Sequence, residues 1–142
     1  MADFGPVPAD AFSMVLTAGP EAIDELGHVN NAVWVQWIQH VAVSHWQARA
    51  NAADQDKWIW VVVRHEIDYH RPLTEGQAVT AYTWVPEMAR GATFDRLMQF
   101  IGPDGKPCVS ARTTWALLDR ASGRPARVPK NLIDCFLVSA DE

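Results

Sequence analysis

The chain has little cysteine, no long apolar run and no surplus of basic charge, and each shortage closes off a class of function. Cys108 and Cys135 are its only cysteines. They form neither a C-x-x-C pair nor a zinc-ligand spacing, and the five His are not spaced as a cluster, so no metal site is expected. Both thiols read as small core residues in a reducing compartment, and the cytoplasm is the expected location. No segment approaches the ~20 apolar residues of a membrane-spanning helix. The stretch from Met1 to Phe12 lacks the basic start and apolar run of a secretory signal. Lys and Arg number 12 against 17 Asp and Glu, a formal net charge of −5. Such a field does not gather phosphate polymers, so no nucleic-acid partner is expected, although a local basic pocket for a small phosphorylated ligand stays open. There is no G-x-S-x-G nucleophile elbow, no P-loop string and no internal repeat.

What is present suits a single globular domain spanning residues 1–142. Hydrophobic residues make up 49% of the chain, enough for one core. Seven Trp in 142 residues predict a core or pocket with large flat walls. Gly5, Pro6 and Pro8 make residues 1–11 a loose arm. A strand is expected over Phe12–Ala18, ended by Gly19-Pro20, with a loop over Glu21–Asn31. A helix then runs over Ala32–Ala50 with no internal Gly or Pro. At 100° per residue its polar residues Gln36, Gln39, His40, Ser44 and Gln47 fall within about 140°, so structure should wrap the helix on more than one side.

Strands dominate after Lys57. Trp58–Tyr69 places Val61, Val63, Ile67 and Tyr69 on one face and Arg64, Glu66 and Asp68 on the other. Strands follow over Ala78–Val85, Ala92–Ile101 and Cys108–Asp119, with Pro103-Asp104-Gly105 a strong hairpin signal. Pro129 opens a short last helix, so residues 130–142 form a helix and tail. Short connections imply antiparallel neighbours. The expected class is α+β: one antiparallel five-stranded sheet curled around one long central helix. One sheet and one helix leave a sheet face to cover, which predicts a homodimer or homotetramer.

The densest chemistry lies in Asp24-Glu25-Leu26-Gly27-His28-Val29-Asn30-Asn31, just before the long helix. The first N–H groups of a helix lack internal acceptors, and the helix dipole favours negative charge beside them. Donors so placed stabilise a developing oxyanion by roughly 3–4 kcal/mol each. An acid a few residues upstream can serve as nucleophile or as base toward water. Spacing alone does not separate this reading from a plainer one, in which Asn caps the helix and Gly makes a turn.

The string Gly27-His28-Val29-Asn30-Asn31, with Asp24 before it and an aromatic helix after it, resembles the hot-dog-fold acyl-CoA thioesterases of the 4-hydroxybenzoyl-CoA thioesterase-like group. The likeness continues through Glu66-Ile67-Asp68-Tyr69-His70-Arg71-Pro72-Leu73 with Gly76, and through Gly123-Arg124 with Val128-Pro129, covering about Phe12 to Phe136. It implies the hot-dog fold and hydrolysis of a fatty or aromatic acyl-CoA to free acid and CoA, with CoA part of the substrate and no other cofactor. By position it makes Asp24 the nucleophile or general base and Asn31 the backbone donor to the thioester carbonyl. Gly27 then lets the substrate approach closely, and His28 and Asn30 shape the site. Ala22 stands where many members carry a second acid. A non-catalytic acyl-CoA or acyl-carrier binding module, and less so a hot-dog dehydratase, are the alternatives on the same fold.

Three further groups bear on a ligand. Arg120, Arg124, Arg127 and Lys130 fall close together and, with Arg90 apart from them, are candidates for CoA phosphates or else a solvated edge. Trp34, Trp37, Trp58 and Trp60 are candidate walls of an acyl pocket, or core. His40 reads as a surface residue and His45 as a hydrogen-bonded core histidine.

Overall fold

The computed structural model describes residues 6–137. Residues 1–5 of the expected arm and 138–142 of the tail lie outside the described residues. Within the arm, the Ala11 N–H donates to the Pro8 carbonyl at 3.1 Å, closing a turn before the first strand. The elements run β1 (Phe12–Thr17), α1 (Asn31–Arg49), α2 (Ala52–Lys57), β2 (Trp58–Tyr69), β3 (Ala78–Trp84), β4 (Thr93–Ile101), β5 (Pro107–Asp119) and α3 (Lys130–Leu137). The five strands form one sheet in the order β1-β3-β4-β5-β2, every neighbouring pair antiparallel. β1 and β2 are therefore opposite edges, and α1 carries the chain across the sheet between them. At 1.5 Å per residue its 19 residues span about 28 Å, enough to cross five strands.

The core lies between α1 and the inward face of the sheet. Trp34, Ile38, Val41 and Ala42 of α1 are buried against Val79, Ala81, Phe94, Met98, Phe100, Val109, Ala111 and Leu117. α3 closes the far end of α1 with Leu132, Ile133 and Phe136. Sheet and α3 thus cover α1 from two sides, yet Val43 stays exposed, so the wrapping is less complete than the polar arc predicts. The outward sheet face is mixed, with Thr80, Tyr82, Asp95, Gln99, Arg112 and Thr114 partly exposed beside apolar groups. Alternation along β3, β4 and β5 turns Phe94, Met98, Phe100, Trp115 and Leu117 inward and leaves Trp84, Leu97, Ile101 and Leu118 partly exposed on the outward face.

β2 corrects a second expectation. Its inward residues are Trp58, Trp60 and Val62 and then, past a register shift between Val62 and Arg64, His65 and Ile67. Val63 is the extra residue of the bulge and is 58% exposed. A bulge inserts one residue and reverses which parity faces the core. The single apolar face of Val61, Val63, Ile67 and Tyr69 therefore does not exist. The short helix α2 also fills the stretch that sequence left unassigned, capped by Asn51, whose side chain accepts from the Asp54 N–H at 2.7 Å.

Candidate active site

The Asp24 loop is a tight hairpin held from three directions. Ile23 and Val29 form an antiparallel bridge, and the Asp24 N–H donates to the His28 carbonyl at 2.9 Å. The Asp24 carboxylate closes an Asx turn, Oδ1 accepting from the Leu26 N–H at 2.9 Å and from the His28 N–H at 3.5 Å. Gly27 turns the chain at φ 81°, the left-handed region that favours glycine. Buried Val29 then donates to the Leu73 carbonyl at 2.8 Å, and Asn30 to the Ala22 carbonyl at 2.9 Å. The start of α1 is thereby docked on the turn that precedes β3.

The donors of the first helical turn can be counted. Asn30 is the N-cap, and its side-chain oxygen accepts from the Ala32 N–H at 2.8 Å. Its carbonyl takes the Val33 N–H at 2.9 Å and the Trp34 N–H at 3.3 Å. The Asn31 N–H finds no acceptor among the described residues. It is the open donor at the positive end of a 19-residue helix, where an anion or a polarised carbonyl is favoured. Asn30 and Gly27 thus do the capping and turning of the plainer reading, and they do so in a way that leaves Asn31 open.

A cleft of about 220 Å³ adjoins this helix start. His28, Asn31 and Trp34 line it together with Tyr69, His70 and Arg71 from the end of β2. Tyr69 Oη reaches the Asn31 carbonyl at 3.5 Å, His70 Nε2 lies 3.1 Å from Ser110 Oγ, and Arg71 pairs with Asp104 at 3.5 Å. Burial raises the Tyr69 hydroxyl above its ordinary pKa, keeping it a donor. These three residues were missed as site residues; the signal was the run of aromatic and basic side chains at a strand end. Asp24 does not line the cleft but sits on the hairpin behind it, with one carboxylate oxygen engaged in the turn.

The other predicted ligand residues separate. Arg90 closes its fork on Asp95, with two bonds at 3.1 Å, which holds the Asp95 carboxyl below its ordinary pKa. Arg120 donates to three carbonyls of the α2–β2 junction, those of Asp56, Gln55 and Trp58, a structural tie. Arg127 and Lys130 do share a cleft of about 340 Å³ with Glu87 and Met88, and Lys130 pairs there with Asp134 at 3.0 Å. Trp34 is core as well as cleft wall, edge-on to Trp37 and Phe100. Trp58 and Trp60 line a different cavity altogether.

His40 is exposed, as expected. His45 is buried, but only half satisfied: its Nδ1 accepts from Arg96 at 2.9 Å while Nε2 has no partner. Arg96 was missed, although it sits in phase with the inward Phe94, Met98 and Phe100. Cys108 is buried and Cys135 half-buried, both as free thiols. Among the described residues no three His, Cys, Asp or Glu come together as a metal site, and no helix is long and apolar enough to cross a membrane.

Comparison with known proteins agrees with this frame. A thioesterase from Bacillus stearothermophilus, itself so named by prediction, superposes with a TM-score of 0.78 at 23% identity, covering 89% of this chain and 94% of that one. A thioesterase from Thermus thermophilus, complexed with coenzyme A and Zn, gives 0.75 at 22% identity, covering 87% and 90%. The 1,4-dihydroxy-2-naphthoyl-CoA thioesterase Slr0204 from Synechocystis gives 0.77 at 13% identity, covering 93% and 98%. No curated protein matches the sequence. Residues 18–136 match the family profile across the hairpin, the helix and all but the first strand, and the chain belongs to the thioesterase-like superfamily.

Proposed function

We propose that this protein hydrolyses acyl-CoA thioesters at the start of α1. The observation that carries the proposal is the open Asn31 N–H, held by a hydrogen-bonded hairpin at the mouth of a cleft. That donor takes the thioester oxygen and gains strength as the oxygen becomes negative. Asp24 attacks the carbonyl carbon or takes a proton from an attacking water. The tetrahedral oxyanion collapses, the C–S bond breaks and the CoA thiolate leaves; where Asp24 is the nucleophile, water then hydrolyses the mixed anhydride, releasing the free acid and restoring the carboxylate. His28 and Tyr69 orient the acyl group, and Gly27 keeps the approach open. Arg127 and Lys130 offer charge to CoA phosphates; Arg90 is already engaged. CoA enters as part of the substrate, and the chemistry calls on no further cofactor.

A homodimer fits the edge of the sheet. β2 is paired on one side only, is 12 residues long and exposes Val63 at its centre. Such an edge is a template for a second copy. Two free thiols fit a reducing, cytoplasmic setting.

One observation favours a second reading, a binding module without turnover. Asp24 is held in an Asx turn and does not line the cleft of its own chain. A panel of short, medium, long and aromatic acyl-CoAs, with thiol release followed by a disulfide dye, separates the two. Thiol release that Asp24→Asn lowers by about 10²–10⁴-fold supports hydrolysis. Binding without release overturns hydrolysis, and near-normal turnover of Asp24→Asn overturns the role given to Asp24.

A further inference from the structure

The end of α1 remote from the hairpin holds a cavity of about 180 Å³. Trp46 of α1, Trp58 and Trp60 of β2, Trp115 of β5 and Phe136 of α3 wall it, and Arg96 of β4 lines its inner side. Asn31 and Trp46 are about 22 Å apart along the helix axis, so this is not the reacting cleft of the same chain.

Three side-chain groups on its lining residues are donors left without a partner. The indole N–H groups of Trp60 and Trp115 and the Nε–H of Arg96 are buried without an acceptor. Arg96 is 2% exposed. Its Nη1 donates to His45 Nδ1 and to Thr83 Oγ1, both at 2.9 Å, and neither partner carries negative charge. The guanidinium lies 4.8 Å from the Phe136 ring centroid and 5.8 Å from that of Phe94. Among the described residues no carboxylate pairs with it. Burial lowers its pKa to about 9, which still leaves it cationic at neutral pH. A buried cation without a counter-charge is costly, and a core with no other use for it would be better served by an apolar residue. A cavity of about 150 Å³ already accepts benzene, so this one holds a single ring with a small substituent.

We propose that this cavity binds a compact one-ring aromatic acid, with its carboxylate on Arg96 and its ring between the tryptophans. Charge complementarity selects the anion, and flat indole walls select a ring over a flexible chain.

The full-length protein carries its own reporters, since four of the lining residues are Trp. Titration with benzoate, benzamide and hexanoate is followed by Trp fluorescence. Saturable quenching by benzoate is expected, with affinity at least tenfold above benzamide, which keeps the ring but not the charge, and above hexanoate, which keeps the charge but not the ring. Arg96→Met should fold cooperatively and lose at least tenfold in benzoate affinity while binding benzamide as before. Should that variant not fold, Trp60→Phe, which keeps a ring and removes one donor, is expected to weaken benzoate severalfold and leave benzamide unchanged. No saturable response to benzoate, equal affinity for benzoate and benzamide, or a folded Arg96→Met that keeps its benzoate affinity would overturn the proposal.

Discussion

His45 makes the fold acid-sensitive from about pH 6.5 downward, above the range where ordinary carboxylates titrate. The ring is 1% exposed, stacked on Phe12 with centroids 4.7 Å apart, and its Nδ1 accepts from a guanidinium. Burial, then the charges of Arg96 and Arg49, push its pKa from 6.5 down to about 3, with the Phe136 backbone acting weakly the other way. In the unfolded chain the histidine takes up a proton near pH 6.5, while the folded chain refuses it until about pH 3. The unfolded state therefore binds more protons between those values, and stability falls as pH falls through that window. At pH 5 the deficit is about 1.5 pH units, or about 2 kcal/mol at 1.36 kcal/mol per unit. Half-buried His65, lowered by burial, adds in the same sense, whereas Asp95, already below its ordinary pKa, loses its contribution only under about pH 4. Urea unfolding followed by Trp fluorescence at pH 7.5, 6 and 5 measures the slope. His45→Gln offers Arg96 an acceptor that cannot titrate, so its loss between pH 7.5 and 5 should be smaller by about 2 kcal/mol. Parallel pH curves for wild type and His45→Gln would refute the reasoning.

Three other outcomes follow from the site geometry. Asn30→Ala removes the acceptor of the Ala32 N–H and should lower stability by about 1 kcal/mol in urea titration, with Asn30→Ser close to wild type. Gly27→Ala meets no atom within 4 Å but must adopt φ 81°, so it should cost about 1–2 kcal/mol, and Gly27→Asn less; equal stability of all three would show that the turn relaxes freely. Arg127→Ala and Lys130→Ala should each raise KM for acyl-CoA about two- to fivefold at unchanged kcat, an effect that shrinks in high salt. A change in kcat instead would place them nearer the reacting carbonyl.

Local order was legible because it rests on local chemistry. The α1 boundaries, the Asn30 cap, the Gly27 turn and the Pro103-Asp104-Gly105 hairpin are each set by a few neighbouring residues. The short helix α2 was legible too, in Asn51 three residues before Asp54, and was overlooked because a polar six-residue segment has no apolar period. The bulge at Val63 was not: Trp58–Tyr69 offers two apolar registers, and pairing with β5 chooses between them.

The amino-acid sequence by itself determined the elements, the donor-rich helix start and the family, since caps, turns and alternation act over one to four residues. Only the tertiary structure decided which side chains meet. It set Tyr69, His70 and Arg71 beside His28 and Asn31, parted Trp34 from Trp58 and Trp60, and buried Arg96 against His45, 51 residues away. Those juxtapositions depend on strand order and register, which are settled by the packing of the whole core rather than by any one segment.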